Sequence, residues 1–163
     1  MKKLILLFVF SASVVSAQDK TAMPFAELLK IIPSTINGFS VTGKPDGMNM
    51  TMAGMSYSMA TKEFTKGEQS LTITVNDFIG YLSMYEASFG MEDGFSFEDA
   101  DAKTYSETVD GVKSIISIDK SENTSSIISG YKDRYLIIIE MSGTNDENIV
   151  KGIFKKINLN DLP

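Results

Sequence analysis

Five methionines, Met48, Met50, Met52, Met55 and Met59, fall within one short stretch of a chain that contains ten in all. A thioether sulfur is a soft ligand suited to Cu(I), and because it carries no proton it stays a ligand at any pH. If the segment is extended, the side-chain period of two puts Met48, Met50 and Met52 on one side, and Gly54 lets Met55 fold back toward them. Met48, Met50, Met52 and Met55 are therefore a candidate copper site. The same residues have two plainer uses. Unbranched, adaptable methionines fill irregular apolar surface or cover a sheet edge. A methionine strip that includes Met59 can also re-pack around a protein partner or small ligand.

The chain has no His and no Cys. Ser-His-Asp and Cys-His nucleophile systems, an imidazole proton switch and an ordinary zinc site are thereby excluded. Catalysis would rest on carboxylates, Lys, Tyr or Ser. Asp77 stands beside aromatics, but at the start of a predicted helix its expected role is to cap backbone N–H groups. Glu140 falls in an apolar run where burial would raise its pKa, unless a partner or an edge position accounts for it. Lys113 and Ser114 could be drawn as a Ser-Lys pair, with nothing to select them over others. No catalytic residue is assigned, and the expectation is a non-enzyme with no cofactor, copper being the alternative.

The acidic run Glu92 to Asp101 offers hard oxygen ligands without the spacing of a known calcium loop, and it reads as a solvated loop. Within it Phe95 and Phe97 alternate as strand residues do, and core packing is expected for both.

Residues 1–17 read as a secretory signal. Lys2 and Lys3 precede an apolar run of about a dozen residues, and Val15-Ser16-Ala17 sets small residues for cleavage before Gln18. The run is shorter than the roughly 20 residues a spanning helix needs. The absence of a nearby Cys argues against a lipid anchor. Export to a periplasm or beyond the cell is expected, without stable membrane insertion. Residues 18–163 then form a single domain of 146 residues, with 13 basic and 21 acidic side chains and a net charge of −8. Such a field repels nucleic acid and anionic lipid.

Phe25, Leu28, Leu29 and Ile32 recur at helical spacing between Pro24 and Pro33. Strands are predicted at Gly38–Thr42, Tyr57–Phe64 and Ser70–Asn76, with turn chemistry at Gly43-Lys44-Pro45-Asp46-Gly47. A helix with Phe78, Leu82, Tyr85 and Phe89 on one stripe follows. Asp110-Gly111 is a strong hairpin signal, and turns at Ser121–Asn123 and Lys132-Asp133 divide four successive antiparallel strands. The last, with Tyr135 to Ile139 apolar on both sides, should be central. Asn145 or Asp146 can cap a closing helix whose Ile149, Val150, Ile153, Phe154 and Ile157 share a face. The predicted architecture is an α+β sandwich, α-βββ-α-ββββ-α. It has a mostly antiparallel sheet of six to seven strands and two to three packed helices.

Ile32-Pro33, Asn37-Gly38-Phe39, the Met/Gly stretch into Tyr57-Ser58-Met59-Ala60, and Asn76-Asp77 together resemble a set of small exported bacterial proteins. The element order is similar to the PsbP/Mog1-like α/β sandwich, whose members are mainly accessory or partner-binding domains. That resemblance implies an accessory role and supplies no site residue. The reading as a whole is an exported accessory or binding protein of the cell envelope that recognises a protein or small ligand through its methionine strip.

Overall fold

The computed structural model describes residues 21–36, 38–89 and 94–163. The predicted signal segment, Asn37, Gly90, Glu92 and Asp93 lie outside the described residues.

Eight strands form one antiparallel sheet in the order β1-β2-β3-β8-β7-β6-β5-β4. They are β1 Ser40–Met52, β2 Met55–Lys66, β3 Gln69–Asp77, β4 Ser96–Glu98, β5 Ala102–Val109, β6 Val112–Asp119, β7 Thr124–Tyr131 and β8 Tyr135–Ser142. Strand takes 52% of the described structure and helix 18%, and the sheet is not closed. This corrects the predicted α+β sandwich to a mostly β fold. Two causes account for the difference. The helices α1 Phe25–Ile31, α2 Leu82–Phe89 and α3 Glu147–Phe154 are only 7, 8 and 8 residues long. Two segments predicted as loops are strand: β4 lies inside the acidic run, and Gly43-Lys44-Pro45 form a bulge opposite Lys62 rather than ending β1. A proline with no N–H to offer is tolerated there because β1 is an edge strand.

The sheet is two meanders, β1–β3 and β4–β8, sewn together where β3 pairs with β8 from Ser70↔Ser142 to Asp77↔Tyr135. β8 is central, as its two-sided apolar run requires. One face of the sheet carries Phe64, Leu71, Ile73, Ile116, Ile127, Tyr135, Ile137 and Ile139, all buried, under α1 and α3. Asp146 caps α3 by accepting the Asn148 N–H.

On the opposite face α2 covers only part of the sheet. Phe78, Tyr85 and Phe89 pack there with Ile115 and Leu136. Gly130 lets them approach, since a Cβ at that position would stand 2.3 Å from the Tyr85 hydroxyl and 2.5 Å from the Phe89 ring. The predicted second helix starts four residues late, because Phe78 to Tyr81 still run past β2, with the Gly80 N–H donating to the Ser56 carbonyl at 3.0 Å. Among the described residues no helix is long and apolar enough to cross a membrane.

Candidate functional site

The β1–β2 hairpin turns at Ala53 and Gly54, with φ of 51° and 78°. Two successive residues at positive φ give a two-residue primed turn, and a turn that tight fixes the register on both sides. Met52 lies opposite Met55, Met50 opposite Tyr57 and Met48 opposite Met59. Directly opposed residues share a face, as do residues two apart on one strand. All five methionines and Tyr57 therefore stand on one side of the hairpin, the side away from α1. The intervening Gly47 faces α1 and is closely covered by the Phe25 ring, which would sit 2.5 Å from a Cβ.

The spacing prediction for Met48, Met50 and Met52 thus holds, and Met55 does fold back onto the same face. Met59, which periodicity alone does not connect to the others, is brought opposite Met48 by the turn. Met48, Met52 and Met55 are 43%, 57% and 40% exposed, while Met50 and Met59 are half-buried. Tyr57 donates its hydroxyl to Asn76 at 2.8 Å, and its ring packs on Phe78 with centroids 5.1 Å apart. An aromatic wall therefore bounds the methionines on the β3 side. Burial raises the Tyr57 hydroxyl pKa above its ordinary value. Away from the hairpin the same sheet face turns polar, with the Thr61 and Thr74 hydroxyls 3.1 Å apart. A shallow cleft of about 270 Å³ follows, lined by Thr72, Ser126, Glu140 and Ser142. From Gly47 to Thr61 there is no charged side chain.

The other candidates are not brought together. Asp77 does not cap α2. It ends β3 as a fully buried carboxylate in a bidentate pair with Arg134, whose Nε and Nη2 donate at 2.7 and 2.6 Å. It also accepts the Met23 and Ile79 N–H groups at 2.7 and 3.1 Å, so its role is to tie the start of the described chain to the sheet. The partnership with Arg134 has no signal in local sequence, because the two lie far apart along the chain.

Glu140 is exposed on the polar stretch of the second face rather than buried, since alternation along β8 turns it out between Ile139 and Met141. Lys113 and Ser114 are neighbours on one strand and point to opposite faces. The Ser114 hydroxyl is buried 2.7 Å from that of Ser129.

Phe95 and Phe97 are 37% and 51% exposed, against the expectation of core packing, because Phe97 lies on the edge strand β4 and Phe95 just before it. In the acidic run, Asp99 accepts the Ala102 and Asp101 N–H groups, which hold its carboxyl below the usual range, and Glu98 pairs with Lys120 at 3.3 Å. The Asp99 carboxylate thus serves its own turn, and that of Glu98 ties β4 to the segment just past β6. A surface cleft of about 530 Å³ lies between the Asp110-Gly111 turn and the end of α3, with β3, β8 and β7 between it and the methionine hairpin.

No family model, curated protein or solved structure matches the chain.

The hairpin combines a rigid base with a soft surface. Cross-strand pairing and the cover of α1 hold the backbone, while thioether side chains adapt to what they touch. It has no nucleophile, acid or base among its own side chains between Gly47 and Thr61 beyond hydroxyls. It can bind through apolar contact or through sulfur.

Proposed function

We propose that this protein is an exported, non-enzymatic accessory protein of the cell envelope that recognises a partner through the methionine face of its β1–β2 hairpin. The observation that carries the reading is the register of that hairpin. It puts Met48, Met50, Met52, Met55, Met59 and Tyr57 on one face, three of the methionines exposed, with no charge from Gly47 to Thr61. An uncharged, adaptable apolar patch on an otherwise acidic molecule favours contact with a protein or small apolar ligand over nucleic acid or an anionic surface. The non-enzymatic part of the proposal rests on the lack of imidazole and thiol groups. The resemblance to small exported proteins and to accessory PsbP/Mog1-like domains supports the same kind of role, and the reading of residues 1–17 as a signal supports export.

The test is a photoreactive side chain at position 52, with position 108 on β5 of the same sheet face as control, introduced in cells. The expected result is a discrete adduct from position 52 alone, lost when Met48 and Met55 become Ser, on a chain whose N-terminal residue is Gln18. No adduct from position 52, the same adducts from both positions, or a mature chain that begins at Met1 would overturn the proposal.

A further inference from the structure

The geometry points to a Cu(I) site formed by the thioethers of Met48, Met50 and Met59. This inference rests on reading the hairpin face as the working surface, and it names the ligand chemistry that the face takes. Met48 and Met59 are direct cross-strand partners, and Met50 follows two residues along on the same side. Cβ atoms of opposed residues lie about 5 Å apart and those of diagonal neighbours about 7 Å. Three flexible thioethers on such positions converge on one soft monovalent cation without moving the backbone, and thioether sulfur selects Cu(I) over harder ions.

Met50 is also diagonal to Met55, so two sets of three are available. Burial and charge choose between them. Met50 and Met59 are half-buried and so held by their surroundings, whereas Met52 and Met55 flank the turn and are 57% and 40% exposed. At the Met48 end the next position on the same face is Asp46, opposite Thr61, whose carboxylate accepts the Gly47 N–H at 2.8 Å. That carboxylate is the negative charge nearest along the strand to the three sulfurs, and no basic side chain between Gly47 and Thr61 opposes a cation.

The experiment is an anaerobic Cu(I) titration of the purified protein in competition with bicinchoninate. One Cu(I) per chain is expected for the wild type. Uptake is expected to be lost in M48L/M59L, retained in M52L/M55L, and unchanged from mildly acidic to neutral pH because thioethers do not titrate. Leu replaces Met with nearly conserved volume, so both variants should keep the wild-type thermal unfolding, and M48L/M59L should also keep the adduct at position 52. Absence of uptake by the wild type, uptake that survives M48L/M59L, or loss that follows M52L/M55L would overturn the copper site. Copper uptake without an adduct at position 52 overturns the partner reading alone, and an adduct without uptake overturns the copper site alone.

Discussion

Tyr135 takes its hydroxyl into the core at the start of β8, where the oxygen is buried and has no hydrogen-bond partner among the described residues. A buried hydroxyl that lost its water and gained nothing costs stability, and an apolar residue of the same shape is neutral or better. Y135F is therefore expected to raise unfolding free energy by about 1 kcal/mol, measured by urea denaturation at neutral pH.

The same residue gives a pH signature. Burial, reinforced by the Asp77 charge and opposed by Arg134, pushes the Tyr135 pKa from 10.0 up to about 12. Between those values the unfolded chain has released its proton and the folded chain has not, so stability is full below about pH 10 and falls as pH rises toward about 12. Y135F should flatten that decline, leaving the smaller contributions of Tyr57, Tyr85 and Tyr105, whose pKa values burial also raises. An unchanged alkaline slope would show that Tyr135 is not responsible.

At the level of the element, the hairpin that presents the methionines turns on a residue poorly suited to its conformation. Ala53 has φ of 51°, in the left-handed region that costs an ordinary L-residue roughly 1–2 kcal/mol and that Asn or Gly adopts with less strain. A53N is expected to raise the thermal midpoint, with a gain of about 1 kcal/mol, and to leave Cu(I) uptake intact.

The weak turn residue also explains what the sequence concealed. Asp110-Gly111 announces its hairpin, and Val109 and Val112 do pair across it. Ala53-Gly54 is a fainter signal, so spacing aligns three methionines and folds Met55 back toward them, while only the register sets Met59 directly opposite Met48 and brings Tyr57 onto the same face. The three helices were legible from spacing, and α3 also from its Asp146 cap, although α2 starts four residues late and the cap expected of Asp77 is absent. Gly43-Lys44-Pro45 looks like the end of a strand because bulge and loop draw on the same residue types. The Asp77–Arg134 pair was illegible for another reason: long-range ion pairs leave no local pattern.

For the molecule as a whole, an open sheet has two edges to protect. β4 is three residues long, ends in Glu98 and is followed by Asp99 and Asp101. β1 is guarded at one end by its bulge, Lys44 and Pro45, but its Gly47–Met52 half is uncharged. In a two-residue hairpin the pairing alternates, which turns the N–H groups of Asn49 and Thr51 away from β2. An edge of that kind is a template for pairing with another chain, and net negative charge opposes such pairing at neutral pH. Light scattering should therefore rise as the pH falls toward zero net charge. T51K should suppress the rise, and T108K, with the same added charge on β5, should not. Equal scattering by the two variants would place the association elsewhere.

The seam between β3 and β8 sets an order of events during synthesis. β3 is complete at Asp77, yet its neighbour on that side, β8, begins only at Tyr135. Until the ribosome has delivered β8, Leu71, Ile73 and Val75 have no strand beside them on that side, and the first meander waits as an unfinished half. Loop closure over such a separation slows folding. The first meander thus keeps an open, unpaired edge until nearly the last helix of the chain has emerged, and throughout that interval the edge is open to mispairing with other strands.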